Sequence, residues 1–370
     1  MRGRCLRIVL GCLWLCGGCA GPVARLPDLD ADAIAAERRR QQIAQMRDYY
    51  AQVARLDRVG YRIGVANAAA CAEQVTARAG FTAATAQGLP RKYRSYAREA
   101  LAIGWTRPTV IAVVASSPAG AAGIEIGDEI LTLNNVPVPV TGTTRWIDDR
   151  LKRNGTRPVI IVLRRDGRDR TIVVYPVIGC AIPIRIAIGA EPNAYTDDDK
   201  IVIRSGLMRL MHGDADLATV VGHELAHVTL GHHHRKVQNA LLGQLGGAVI
   251  DGGFVLGGIY TGGAFSRELG RAGAVAYSIA FEREADYVGA YYAARAGYDI
   301  SRAAQVWRTM ALEQPSAIRF ARTHPTSPVR FVQMQKVIAE IAGKKRHAMP
   351  LEPEMKLDRS PVAASTDSYN

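Results

Sequence analysis

The chain has 370 residues, a length typical of two or three domains, and 48% of them are hydrophobic, which excludes a disordered chain. Lys and Arg outnumber Asp and Glu by 47 to 34, giving a formal net charge of +13. No arginine-rich stripe with interleaved aromatic residues accompanies this excess, so we expect a basic surface and no nucleic-acid partner.

The first 19 residues have the layout of an export signal. Positions 1–7 contain three arginines, positions 8–15 are apolar, and small residues precede Cys19. The apolar run is too short for an ordinary membrane-spanning helix. Small residues before a cysteine resemble a bacterial lipoprotein signal, which implies that Cys19 is lipidated and anchors a periplasm-facing envelope protein in the outer membrane. The alternative is an ordinary signal peptide and a soluble periplasmic or secreted protein.

Two cysteines, Cys71 and Cys180, lie outside the leader. They flank a β-rich stretch of the chain, and an oxidising compartment would allow them to pair. Spacing alone leaves two hypotheses open, which are a disulfide that ties the ends of this stretch together and two separate buried thiols.

Residues 28–58 show apolar side chains at helical intervals, with three arginines on the polar side, and we expect a packing or spacer helix. From about residue 60 to 186 the pattern changes to short β-branched runs between Gly, Pro and Asn/Asp turns. The predicted strands are 110–114, 129–133, 159–163 and 171–175, and Asp-Gly at 166–167 predicts a hairpin turn.

The stretch 113–135, which combines a strand with Ser-Pro-Ala, Ala-Gly and Gly-Asp, resembles a PDZ domain. Asn135 stands where Gly is usual, in a turn whose left-handed backbone Asn also accepts. The resemblance implies that the module 60–186 binds peptide C-termini by strand addition, with 62–65 and 103–105 as candidates for the carboxylate loop. The alternative is a degenerate module that only packs against its neighbour.

The sequence H-E-L-A-H at 223–227 contains candidate metal ligands and a candidate general base. His223 and His227 are four residues apart and share one face of a predicted apolar helix, so both imidazoles can bind one metal ion. Glu224 lies one step around the helix, where a general base for a water molecule is expected. The alternative is a pair of core histidines.

A catalytic zinc site needs a third protein ligand. The metzincin pattern fails because Leu230 stands where it requires Gly, and the histidines at 232–234 are expected to lie exposed beyond the end of the helix. The downstream sequence E-R-E-A-D places Glu282 and Asp286 on one helical face. One carboxylate can bind the metal while the other orients a ligand histidine.

Several stretches together resemble gluzincin zinc metallopeptidases of the CAAX-prenyl-endopeptidase, HtpX and BepA type. The resemblance implies one zinc ion per chain, with His223, His227 and Glu282 as ligands and Asp286 orienting a ligand. It also implies cleavage of unfolded or misassembled envelope proteins, which is a form of protein quality control. The matching stretches are 192–195, 201–208, 216–231, 282–286 and 323–330.

The same resemblance assigns further roles around the metal. His324 stabilises the oxyanion or covers the open position, and Arg330 forms an ion pair that fixes its loop. Glu224 accepts a proton from the water and returns it to the leaving amine. Asn193 and Ala194 precede a strand at 201–203 that we expect to pair with an extended substrate.

The predicted fold is α+β, with a mostly helical zincin domain and a small edge sheet after the β-rich PDZ-like module. Residues 240–263 contain nine glycines and one charged residue and predict a flexible loop or small-residue hairpin beside the cleft. The alternative is a segment that contacts the membrane. The predicted parts are a signal (1–19), a helical segment (20–59), the PDZ-like module (60–186), the peptidase domain (187–342) and a disordered tail (343–370).

A second functional hypothesis is an envelope chaperone or adaptor. In this hypothesis the PDZ-like module captures the termini of client proteins and the zinc site is structural or latent. Glu224 favours the enzyme, because a structural metal site needs no general base.

Overall fold

The computed structural model describes residues 24, 26–197, 200–256, 259, 261–269, 278–313 and 328–356. These residues contain both helices and strands, as the predicted α+β class requires. The chain divides into two compact units, Met1–Ala44 and Gln45–Asn370. In the first unit, residues 31–44 are helical and mostly exposed.

Helix α1 (Ala31–Ala66) is eight residues longer at its C-terminal end than predicted. The predicted boundary at 59/60 and the candidate carboxylate loop at 62–65 therefore lie inside a helix, and both predictions are wrong. Gly60 lies inside this helix at a point of close packing, because a Cβ there would lie 2.7 Å from Ile184 Cδ1. The buried side chains of Val59 and Ile63 continue the apolar face.

The β-rich region contains an antiparallel sheet in the order β2-β3-β4-β6-β7, with β5 paired to β4. Four of its strands coincide with the predicted ones, which confirms those predictions. Asn135 and Asp166 adopt positive φ angles of 62° and 51° in the turns after β4 and β6, as their sequence positions predicted. The strands are β2 (Phe81–Ala84), β3 (Thr109–Val113), β4 (Glu129–Leu133), β5 (Val136–Pro137), β6 (Val159–Arg165) and β7 (Arg168–Val174).

Strand β1 (Val75–Arg78) pairs antiparallel with β8 (Val177–Cys180). A disulfide joins Cys71 to Cys180 across a sequence separation of 109 residues. The two ends of the β-rich region are therefore tied together beside the C-terminal end of α1. Three short helices accompany the sheet, α2 (Ala97–Leu101), α3 (Pro118–Ala121) and α4 (Thr143–Asn154).

A second, three-stranded sheet has the order β10-β11-β9. Its strands are β9 (Ile184–Ala187), β10 (Ala194–Asp197) and β11 (Lys200–Arg204). The predicted substrate-pairing strand 201–203 belongs to β11, whose two edges are already hydrogen-bonded to β9 and β10. That prediction is wrong, and among the described strands β10 is the edge strand beside the helix that contains H-E-L-A-H.

Two helices that cross backbone to backbone carry the predicted ligands, α6 (Asp214–Thr229) and α8 (Ser278–Arg295). A Cβ on Gly222 would lie 2.5 Å from Gly289 O, so glycine at the crossing permits this close approach. The other helices of this region are α5 (Ser205–Leu210), α7 (His232–Leu256), α9 (Ala303–Glu313) and α10 (Pro328–Arg346).

The region predicted as a loop or hairpin at 240–263 is helical to Leu256 within α7. A flexible loop is therefore wrong, while a hairpin is formed by α7 and a return segment at 261–269. The predicted disordered tail begins too early, because α10 runs to Arg346 and Leu351 O accepts a hydrogen bond from Arg295. Residues 357–370 lie outside the described residues.

Candidate metal centre

Helix α6 begins with two acidic residues that have different partners. Asp216 accepts a hydrogen bond from the backbone N–H of Gly213 at 3.3 Å and caps the first turn. Asp214 forms ion pairs with Arg55 at 3.0 Å and Arg58 at 2.9 Å on α1. The start of the ligand-bearing helix is therefore held against the C-terminal half of α1.

Three buried side chains converge at the α6–α8 crossing. The Nε2 atoms of His223 and His227 lie 3.1 Å apart, and each lies 3.4 Å from a carboxylate oxygen of Glu282. All three ligand atoms lie within 4.8 Å of one another. Two imidazole nitrogens and one carboxylate are a donor set that suits a divalent metal, zinc among them, so these residues form a possible metal site.

Asp286 orients the first histidine. Its Oδ1 lies 3.0 Å from His223 Nδ1, which directs Nε2 toward the other ligands. Arg330 holds Asp286 with two hydrogen bonds of 2.7 Å, and its guanidinium lies over the Trp307 ring at 4.5 Å. Burial raises the pKa of Asp286, but Arg330 and His223 outweigh it and hold that pKa below its usual range.

His223 shows how strongly the pocket favours positive charge. Burial lowers the pKa of His223, but Asp286 and Glu282 outweigh this effect and raise it to about 9. In the metal-free protein the carboxylates therefore favour a cation at this position. A bound metal ion would take the place of that positive charge.

His232 orients the second histidine, although the sequence predicted that it lies exposed. It is 1% exposed, and its Nδ1 lies 2.9 Å from His227 Nδ1. Its Nε2 lies 3.0 Å from Glu284, and this hydrogen bond holds the pKa of Glu284 below its usual range. The prediction failed because α7 begins directly after Gly231, whose left-handed backbone turns His232 toward His227.

Glu224 is 1% exposed, and its Oε2 accepts a hydrogen bond of 2.7 Å from Thr196 Oγ1 on β10. The edge strand thus fixes the carboxylate predicted as the general base. Sequence reasoning missed Thr196, because its spacing from the metal motif carries no signal. Asn193 and Ala194 lie at the start of the same strand, where Asn193 O accepts from the backbone N–H of Arg204 at 2.9 Å.

Cys19 and His324, the predicted lipidation site and oxyanion residue, lie outside the described residues. Arg330 and Asp286 pair within the site, and the hydrophobic core around them includes residues of α6, α8, α9 and α10.

Residues 185–338 match the profile of Peptidase family M48. Two curated relatives are each named Mitochondrial metalloendopeptidase OMA1. The Schizosaccharomyces pombe protein is 26% identical over 173 residues, which cover 42% of this chain and 46% of the relative. The Saccharomyces cerevisiae protein is 28% identical over 158 residues, covering 40% and 44%. The chain thus spans less than half the length of these relatives.

Two solved structures align with 28% of the chain. One is an HtrA3 PDZ domain bound to a phage-derived ligand, at 17% identity over 88% of that domain and a TM-score of 0.22. The other is the HtrA-type protease AlgW with a decapeptide, at 21% identity over 30% of that chain and the same TM-score. At this TM-score the PDZ-like module stays a prediction from the sequence.

Proposed function

We propose that the chain is a zinc-dependent endopeptidase that hydrolyses peptide bonds of unfolded or misassembled cell-envelope proteins. The observation that carries this proposal is a buried carboxylate, Glu224, next in sequence to one of three converging donor residues. A purely structural metal site needs no such carboxylate. The match of residues 185–338 to Peptidase family M48 supports the same reaction.

Different residues of the chain have different roles in the proposed reaction. His223, His227 and Glu282 would hold one zinc ion, which supplies Lewis acidity for a water molecule and for the scissile carbonyl. Glu224, held by Thr196, takes a proton from the attacking water and returns it to the leaving amine. Asp286 and His232 fix the ring orientations of the two histidines, so the donor set is formed before substrate binds.

Strand β10 is the element best placed to hold an extended substrate. It is the edge strand of the three-stranded sheet, and Thr196 links it directly to Glu224. A substrate backbone added along this edge would pass beside the general base. Asn193 and Ala194 would then contact the substrate near the start of the strand.

The export leader and the paired cysteines support an extracytoplasmic location. A disulfide between Cys71 and Cys180 is expected to persist in an oxidising compartment such as the periplasm. We infer lipid anchoring at Cys19 from the lipoprotein-type leader. Unfolded or misassembled envelope proteins would then be the substrates within reach, and the PDZ-like module would bind their C-termini.

Metal dependence tests the proposal. The purified chain should cut a fluorescently labelled unfolded protein, lose activity after chelation, and regain it with one equivalent of zinc. Cleavage that survives complete metal removal would refute a zinc peptidase. Binding of the unfolded protein without cleavage, in the zinc-loaded chain, would instead support the PDZ-led chaperone.

A further inference from the structure

The hairpin formed by α7 (His232–Leu256) and its return segment 261–269 is held together by contacts along one face of α7. On the packed side, a Cβ on Gly247 would clash with the carbonyl oxygen of Phe265, and the Phe254 and Phe265 rings stack at 5.3 Å. These contacts hold the return segment against one face of α7.

The single charged residue in the apolar part of α7, Asp251, also faces the return segment. Its carboxylate accepts four hydrogen bonds, from Thr261 Oγ1, from the backbone N–H groups of Phe265 and Ser266, and from Ser266 Oγ. Asp251 is 8% exposed. Its charge is therefore fully hydrogen-bonded inside the hairpin and absent from the opposite face.

The opposite face of α7 is an apolar stripe. At 3.6 residues per turn its members fall within a sector of about 100°, with no charged residue among them. They are between 54% and 91% exposed. A continuous apolar surface of this kind is unusual on a monomer and marks a contact with a partner or a lipid surface. The stripe consists of Leu241, Leu242, Leu245, Val249 and Leu256.

We propose that this stripe docks the chain onto the surface of an anionic lipid bilayer. The stripe is entirely aliphatic and lacks the Trp, Tyr and Arg side chains that anchor specific protein interfaces. Arg235 is exposed about two turns before the stripe and lies at the edge of the same face of α7. A basic, then aliphatic, helix face complements anionic headgroups and the acyl chains beneath them.

The hairpin lies in the interface and does not cross the bilayer. Among the described residues α7 is long and apolar enough to span a membrane. However, the return segment brings two exposed charged residues, Arg267 and Glu268, back alongside the apolar part of α7. In the hydrocarbon core these charges would be costly, whereas at the interface they stay among headgroups and water.

Environment-sensitive dyes test bilayer contact at single positions. The full chain is prepared with the leader cysteines at 5, 12, 16 and 19 replaced by serine, so that no lipid anchor contributes. A dye is attached at Val249→Cys or, as the control, at Ile126→Cys, a residue of similar exposure in the β-rich region. Vesicles of phosphatidylethanolamine and phosphatidylglycerol should shift the emission of the dye at 249 to the blue and leave the dye at 126 unchanged. Equal responses at the two positions would overturn the proposal.

Vesicle flotation provides the matched mutational test. The combined variant Leu241→Glu, Leu245→Glu and Val249→Glu should lower vesicle binding by more than about 10-fold, because each aliphatic side chain loses its transfer into lipid. The control variant Ile126→Glu, Tyr175→Glu and Ile188→Glu changes three other exposed apolar residues and should bind as before. If the first variant instead halves the mass in light scattering and keeps vesicle binding, a second copy covers the stripe and the lipid proposal is wrong. Neither test depends on peptidase activity.

Discussion

Gly289 of α8 lies against the backbone of His223 on α6, and a Cβ at Gly289 would be 2.6 Å from His223 N. The partner glycine on α6, Gly222, is the residue directly before His223. This contact sets the separation between the helix that carries the two histidines and the helix that carries Glu282. The position of the third ligand therefore depends on the absence of two Cβ atoms.

We expect Gly289→Ala to destabilise the chain by ~1–3 kcal/mol, because the added methyl group must push the helices apart. The same displacement should weaken zinc binding, since Glu282 moves relative to the histidines. Denaturant unfolding and zinc titration measure the two effects. Gly343→Ala in α10 is the control, because its nearest neighbouring atom is 4.0 Å away. Wild-type stability and zinc affinity in Gly289→Ala would contradict this role of the crossing.

His232 should act on the metal through His227. If His227 uses Nε2 as a ligand, its Nδ1–H donates to His232 Nδ1, and His232 Nε2–H donates to Glu284. Removing such an orienting partner costs about 10–100-fold in metal affinity. We expect this loss for His232→Ala in competition with a chromophoric chelator.

The neighbouring His234→Ala provides the control for His232, because His234 is exposed and bonds only to Gln238 among the contacts described. Glu284→Gln should give an intermediate loss, because Gln can still accept the hydrogen bond but carries no charge. Equal zinc affinity in His232→Ala and His234→Ala would show that His232 is merely a packed side chain.

Substitution of Thr196 should lower kcat without changing zinc affinity. Thr196→Val keeps the shape of the side chain and removes the hydroxyl that donates to Glu224. A hydrogen bond to a charged group contributes about 1.5–3 kcal/mol, so we expect kcat to fall by about 10-fold or more. Zinc affinity should stay unchanged. Thr82→Val removes a comparable threonine–carboxylate bond, to Asp57 on α1, and should leave kcat as it is.

Asp57 should make stability depend on pH. Burial raises its pKa, although the hydrogen bond from Thr82 partly opposes this. The folded chain thus holds a proton on Asp57 at pH values where the unfolded chain has lost it. The free energy of unfolding should therefore fall as the pH rises from about 4 through the folded-state pKa.

Asp57→Asn should remove this part of the pH dependence and raise the free energy of unfolding at pH 7. Urea unfolding at several pH values between 4 and 7 measures the effect. Asp48→Asn changes an exposed aspartate on the same helix and is the control. If the free energy of unfolding of Asp57→Asn depended on pH as in the wild type, the assignment of this pH dependence to Asp57 would be contradicted.

The core of the candidate site was predictable because local periodicity encodes it. A spacing of four residues places His223 and His227 on one face of a helix. The same spacing places Glu282 and Asp286 on one face of a second helix, independently of the tertiary fold. His232 and Thr196 could not be predicted in this way. His232 reaches the site by the turn of the chain at Gly231, and Thr196 reaches it through a contact between strand β10 and helix α6.

Glycines were the least predictable feature. The glycines at 240–263 suggested a flexible loop, since glycine usually marks a turn. Gly247 instead lies inside a helix, at a position where the neighbouring backbone leaves no room for a Cβ. In contrast, Asn135 and Asp166 were predictable, because the left-handed turns that they form depend on local backbone chemistry.

The most direct test of the central claim is the cleavage rate of an unfolded protein by zinc-loaded Glu224→Gln beside the zinc-loaded wild type. Removing a general base typically lowers the rate by about 10²–10⁴-fold. Since Gln keeps the size of the side chain and no ligand is changed, we predict that loss with the zinc content unaltered. Cleavage by Glu224→Gln at the wild-type rate, with zinc retained, would contradict the assignment of Glu224 and with it the proposed peptidase mechanism.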